Sequence, residues 1–284
     1  MTSYLRIPVI LVLAFLLASC ESEPYDPDVH DVPPGDELIE YTLVWEDQFD
    51  GQAGESPDPA SWTYDVGNGD NGWGNAQLEF DTARPENVSL DGSGNLRITA
   101  REESYNGFDY TSARIKTQGL FSQQYGRFEA RIKLPIGQGI WPAFWLLGNG
   151  IDTVGWPQCG EIDIMEYRGQ EPDQANGALH GPGYSAGAAL SSSYTLSSGG
   201  FDEDFHVFAV NWTPTSITWE VDGFTYMTIT PGDLPGDAEW VFDDDAFFII
   251  LNVAVGGTYV GPPDQTTEFP QTMLVDYVKV YQAD

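Results

Sequence analysis

The sequence predicts an all-β fold, a β-sandwich of jelly-roll type, on three observations. Aromatic residues make up 13% of the chain, beside 31 glycines and 19 prolines, a mixture that suits many short strands joined by tight turns. Segments such as 96–100 (LRITA), 126–133 (GRFEARIK) and 217–221 (ITWEV) alternate apolar and polar residues, so each turns one face to a core and one to water. Long helical patterns are absent. Asp222-Gly223 between 217–221 and 224–229 supplies the positive φ angles of a type I′ turn and predicts a hairpin.

The first twenty residues stand apart from that pattern. Arg6 precedes the apolar run 7–18 (IPVILVLAFLLA), too short for a stable membrane span and suited to an export signal. The run ends in Leu17, Ala18, Ser19 and Cys20, which resembles the lipobox of bacterial lipoproteins. Acylation of Cys20 would tie the protein to a membrane without a spanning helix, and implies a protein held on the cell envelope or cell surface, or secreted. Residues 21–40 (ESEPYDPDVHDVPPGDELIE) are acidic and proline-bearing with little to bury, which predicts a disordered linker. The folded domain is then 41–284, a length one sandwich accommodates. Its one cysteine, Cys159, has no partner for an intrachain disulfide.

With 44 acidic against 11 basic residues the formal charge is −33. Such a surface repels phosphate backbones and excludes nucleic acid as a partner. The scarcity of lysine, limited to Lys116, Lys133 and Lys279, suggests adaptation to high salt, where screening removes self-repulsion.

Chemistry concentrates at 161–166 (EIDIME), where Glu161, Asp163 and Glu166 interrupt an apolar, β-branched stretch. On a strand Glu161 and Asp163 share one face while Ile162 and Ile164 enter the core. Glu166 falls out of step, and one extra residue in a β-bulge around Ile164 and Met165 would return it to the carboxylate face. Carboxyls this close raise one another's pKa, so one can stay protonated while another is ionised. Retaining glycoside hydrolysis needs such a pair about 5 to 5.5 Å apart. A calcium loop is a poorer reading, because the run lacks the turn glycine and the alternating oxygen ligands.

Residues 156–167 (WPQCGEIDIMEY) resemble the active-site strand of glycoside hydrolase family 16 in its bulged, laminarinase-like form. Blocks 72–78 (GWGNAQL), 110–115 (YTSARI), 125–135 (YGRFEARIKLP), 141–148 (WPAFWLLG), 180–184 (HGPGY), 251–257 (LNVAVGG) and 275–281 (VDYVKVY) are similar to that family's blocks, in its order, over residues 41–281. The resemblance implies a jelly-roll enzyme that hydrolyses internal β-1,3-glucosidic bonds of laminarin-like glucans. Glu161 would be the nucleophile, Glu166 the general acid and base, and Asp163 the group tuning the nucleophile. Mixed-linkage glucanases, galactan hydrolases and transglycosylases share the motif. Binding proteins of the fold have lost the carboxylates that this chain keeps.

A sugar cleft needs aromatic faces for pyranose rings and polar groups for hydroxyls. Trp73, Trp141, Trp145 and Trp156 are the aromatic candidates. Phe144 and Trp145 point to opposite faces, and the resemblance favours Trp141 and Trp145 in the cleft. It also implies hydroxyl contacts for Asn75, Arg114 and His180; Arg114 has the plainer alternative of pairing with an acid. Of Gln77 and Glu79 the sequence does not say which faces the cleft. No cofactor is required. Relatives carry a structural calcium, and here Asp276 is the remaining candidate ligand, beside a block 47–49 in which Gln48 offers only a neutral oxygen. A monomer acting on a neutral β-glucan is the expected assembly and partner.

Overall fold

The computed structural model describes residues 41–283. The leader 1–20 with Cys20, the linker 21–40 and Asp284 lie outside the described residues.

Two β-sheets make up the described chain. One is seven-stranded, in the spatial order Leu190–Thr195, Gln174–His180, Glu161–Tyr167, Ile140–Gly148, Phe247–Val255, Arg114–Lys116 and Thr63–Asp65. The other is ten-stranded. Its main path runs Phe224–Ile229, Ser216–Val221, His206–Thr213, Gly126–Lys133, Gln271–Ala283, Leu96–Tyr105, Phe108–Ser112 and Glu79–Asp81, with Tyr41–Asp47 and Val88–Leu90 paired beside it. The core between the sheets is built from fully buried Trp62, Trp212, Trp219, Tyr167 and Phe144 with aliphatic partners such as Ile162 and Ile249. The all-β sandwich expected from the sequence is therefore the fold.

The predicted alternation appears where one face meets water. In Leu96–Tyr105, Leu96, Ile98 and Ala100 are fully buried while Arg97 and Thr99 are half-buried on the other side. The hairpin also forms: Val221 pairs with Phe224, and Asp222 and Gly223 have φ of 49° and 79°, the paired positive values a type I′ turn demands.

Gly126–Lys133 departs from alternation. Arg127 and Glu129 are 3% and 1% exposed on the face opposite Phe128, because they close a charged network. Arg127 Nε donates to Glu129 Oε2 at 2.8 Å, and Nη1 donates to Glu220 Oε2 at 2.6 Å and Asn211 Oδ1 at 3.2 Å. Burial alone would lower the guanidinium pKa, but Glu220 and Glu129 together raise it, so the cation stays charged inside a satisfied cage.

Candidate active site

The strand Glu161–Tyr167 lies within the seven-stranded sheet, between Ile140–Gly148 and Gln174–His180. Its register shifts between Asp163, opposite Ala178, and Glu166, opposite Asn176. Two residues, Ile164 and Met165, therefore oppose Gly177 alone, and both are buried. This is the bulge predicted from the out-of-step glutamate, and it returns Glu166 to the face of Glu161 and Asp163.

A bulge leaves backbone groups without ladder partners. Here the Asp163 carbonyl accepts the Trp219 indole N–H at 2.8 Å, from a strand of the opposite sheet. Gly177 permits the approach: a Cβ there would lie 2.6 Å from Trp219 Cδ1 and 2.5 Å from the Tyr226 hydroxyl. The backbone of the carboxylate strand is thus pinned through the core at its irregular point.

Each carboxyl has its own partner on the sheet face. Trp156 Nε1 donates to Glu161 Oε2 at 3.1 Å, and Trp141 Nε1 donates to Glu166 Oε1 at 3.1 Å. His180 Nε2 lies 3.0 Å from Asp163 Oδ2 and 3.7 Å from Glu161 Oε1. The first contact is poorly aligned, so buried Asp163 Oδ2 has no formed hydrogen bond among the described residues. His180 Nδ1 accepts the Ala186 backbone N–H at 3.1 Å, which assigns the proton of the neutral ring to Nε2. Glu161, Asp163 and His180 bring one ligand atom each within 4.8 Å of one another, near enough for a metal ion. With Nε2 protonated, however, the imidazole presents a donor where a metal would need a lone pair.

Burial, then the charge of Asp163, pushes Glu161 up to about 8. Burial alone does the same for Asp163, to about 8. Glu166 rises to about 8 through burial and Asp163, against the lowering effect of His180 and the Trp141 hydrogen bond. The three titrate as a coupled set that holds protons near neutral pH. Arg114 lowers Glu161, while the Trp141 hydrogen bond and Arg168 lower Glu166, so the two glutamates are closely matched and the charge of Asp163 raises both. That arrangement suits one ionised carboxylate facing one protonated carboxyl.

The other predicted residues take different places around the trio. Phe144 is fully buried in the core and Trp145 faces the other way, resolving the choice the sequence left open. Trp145, opposite Asp163 in register, donates from Nε1 to Asn252 Oδ1 at 2.8 Å. Arg114 pairs with an acid and also lies against two indoles. Its Nε donates to Asp65 Oδ2 at 3.0 Å, and its guanidinium lies 4.7 Å from the ring centres of Trp73 and of Trp145. Trp141 is only 8% exposed and packs 5.0 Å from the Tyr259 ring, so it buttresses Glu166 more than it offers an open platform. Trp156 is 42% exposed and leans on His180 at 5.9 Å. The side-chain amide of half-buried Asn75 has no hydrogen-bond partner among the described residues, while its backbone carbonyl accepts the Thr258 N–H at 2.8 Å. Gln77 and Glu79 are both buried, Glu79 with its carboxylate on the Val255 N–H at 2.8 Å.

Asn252, Asp65, Asp81 and Tyr259 were not singled out from sequence. Asn252 and Tyr259 had a signal, the one inside block 251–257 and the other just after its paired glycines; Asp65 and Asp81 did not. Cys159 is buried and free, its thiol pushed up to about 11 by burial and then by Glu161, which makes it inert.

The calcium expectation for Asp276 does not fit the residues present. Arg131 Nη1 already donates to Asp276 Oδ2 at 2.7 Å. Asp47 accepts from the Phe49 N–H and the Trp62 indole with its two oxygens, and Gln48 donates from Nε2 to Glu46 Oε2 at 2.6 Å, which leaves only its neutral Oε1 uncommitted. An acid with one oxygen on a cation, an aspartate with both oxygens on N–H donors and one neutral amide oxygen fall short of the converging charged oxygens of a hard-cation cage.

A β-sandwich that brings a bulged carboxylate trio, indole donors and a stacked arginine onto one sheet face defines a glycoside hydrolase. Residues 73–279 match the model of the glycosyl hydrolases family 16, and the chain belongs to that family. It is 43% identical over 257 residues to a beta-glucanase of Rhodothermus marinus, covering 87% of each chain. The laminarinase catalytic domain of Thermotoga maritima superposes with a TM-score of 0.81 at 47% identity, over 86% of this chain and 99% of that one. An endo-beta-1,3-glucanase from Pyrococcus furiosus gives 0.81 at 46% identity, over 87% and 96%.

Proposed function

We propose that the chain is a retaining endo-β-1,3-glucanase that cleaves laminarin-like glucans through a covalent glycosyl-enzyme intermediate. The observation that carries this reading is the bulged strand, with Glu161, Asp163 and Glu166 on one face and an indole donor on each glutamate. Likeness to laminarinases and endo-1,3-glucanases at 43 to 47% identity supports the linkage.

In the first step a Glu161 carboxylate oxygen bonds to the anomeric carbon as the glycosidic C–O bond breaks, and Glu166 gives its proton to the departing oxygen. In the second, Glu166 takes a proton from water, whose oxygen displaces Glu161 and restores both groups. Asp163, when ionised, raises the pKa of both glutamates and so helps Glu166 keep the proton it gives to the departing oxygen. Asn75, with its unpartnered amide, Arg114 and Trp156 bind the sugar. The chemistry needs no cofactor, and the acidic surface favours a neutral polymer.

Export and anchoring through an acylated Cys20, with 21–40 as a tether to a monomeric domain, belong to the same reading, as does function at high salt. They rest on the sequence patterns alone.

The test is incubation of the purified protein, in dilute and molar salt, with laminarin, lichenan, agarose and carrageenan. Laminarin cleaved to short oligosaccharides is the expected result. Cleavage of galactans alone, products longer than the substrate added, or no reaction on any polymer would each overturn it. For the roles, Glu161→Ala loses turnover and regains it with azide as an α-glycosyl azide, while Glu166→Ala keeps activity on substrates with activated leaving groups. Equal loss on every substrate would reverse the assignment.

A further inference from the structure

A second set of buried carboxyls flanks the trio. Glu79 and Asp81 share one short strand and are 1% and 2% exposed. Asp81 Oδ2 accepts the Trp73 indole N–H at 2.9 Å, whereas Asp81 Oδ1 is buried with no hydrogen-bond partner among the described residues. Burial and the adjacent Glu79 hold the Asp81 carboxyl well above the usual range. A half-satisfied buried carboxyl destabilises a fold, so its role lies in what it holds.

What it holds is an aromatic face in an otherwise strained turn. Trp73 has φ of 52°, with Asn71 at 51° and Ala76 at 56°, a left-handed region that residues with a Cβ enter at a cost. Gly72 makes the turn possible, because a Cβ there would lie 2.2 Å from the Gln77 nitrogen. The Trp73 ring carries the Arg114 guanidinium, which also lies against Trp145, the register partner of Asp163. Asp65 takes Arg114 Nε, and the two Nη groups have no hydrogen-bond partner among the described residues. The chain of contacts runs from a buried carboxyl, through an indole, to an arginine edge beside the catalytic strand.

We propose that Asp81 is a positioning residue for sugar binding: by holding the Trp73 indole it fixes the aromatic face that directs the free Nη edge of Arg114 toward a sugar ring next to the carboxylate trio. The inference rests on the glucanase reading and adds to it the residue that organises this side of the site. Asp81 touches no substrate, so its loss acts on binding geometry rather than on bond cleavage.

Steady-state kinetics on laminari-oligosaccharides test this with the full chain and four variants. Asp81→Asn keeps an oxygen for the indole N–H and leaves KM within about twofold of wild type, while Asp81→Ala and Trp73→Phe each raise KM about tenfold with kcat nearly unchanged. The Asp81→Ala, Trp73→Phe double variant is no worse than either single one, because both delete the same bond. Should Asp81→Ala fail to fold, Trp73→Phe against Asp81→Asn carries the comparison. A kcat loss matching the KM change, Asn behaving like Ala, or a double variant about a hundredfold worse would overturn the proposal. An unmoved KM in Trp73→Phe beside an active wild type refutes this inference alone, whereas a wild type inert on laminari-oligosaccharides refutes the glucanase reading as well.

Discussion

Glu161→Gln should stabilise the fold, and do so increasingly as pH rises. In the folded chain burial and Asp163 lift Glu161 from an ordinary 4.5 to about 8, so between those values the folded state holds a proton that the unfolded chain has released. Stability therefore falls as pH climbs through that window, the opposite of a salt-bridged carboxylate. At 1.36 kcal/mol per tenfold change, the full displacement corresponds to about 5 kcal/mol as a ceiling. Glu161 keeps 16% of its side chain exposed and shares its penalty with Asp163 and Glu166, so about half, roughly 2 to 3 kcal/mol at pH 9, is the expected gain. For a domain of this size that is a rise in Tm of about 5 to 10 °C at pH 9, shrinking toward zero by pH 4.5, where both forms are neutral. Calorimetry of wild type and variant in one molar salt at each pH measures the difference, and general charge repulsion cancels between them. A Tm gap that is constant from pH 4.5 to 9, or larger at the acid end, would refute the argument that burial of a charge sets these pKa values.

Trp219→Phe removes the indole donor to the Asp163 carbonyl; a loss of about 1 to 3 kcal/mol in urea unfolding is expected, with reduced kcat from a relaxed bulge, and unchanged kcat would show that the pin is not needed. Arg127→Ala leaves Glu129 and Glu220 facing each other without their cation and should cost about 3 to 5 kcal/mol, read as a lowered denaturation midpoint; a neutral result would mean the network is solvated. With 44 acidic against 11 basic residues, Tm should climb steeply from dilute buffer to molar salt as repulsion is screened, and a flat Tm across that range would dispose of the high-salt reading.

How far the sequence could be read depended on the reach of each interaction. The bulge was legible because it is local: Glu161 and Asp163 keep strand alternation, Glu166 breaks it, and only one inserted residue reconciles all three with a buried Ile164 and Met165. The Asp222-Gly223 hairpin was legible for the same reason, since the turn's φ requirements sit in two adjacent residues. What stayed hidden involves partners far apart in the chain. Arg127 reads as the exposed member of an alternating strand until Glu220, 93 residues on, arrives to bury it. Asp276 reads as a cation ligand until Arg131, 145 residues earlier, takes its carboxylate. Arg114 showed both kinds of limit: pairing with an acid and serving the sugar site were framed as competing readings, yet Asp65 occupies one edge of the guanidinium and two indoles occupy its faces, which leaves the remaining edge oriented rather than consumed. An acidic chain with few cations places each of them under such competing demands, so Arg114 is held, directly by Asp65 and through Trp73 by Asp81, by carboxyls that the sequence presents only as part of a general negative charge. That is why the catalytic carboxylates could be recognised before the structure, while the residues that hold their surroundings in place could not.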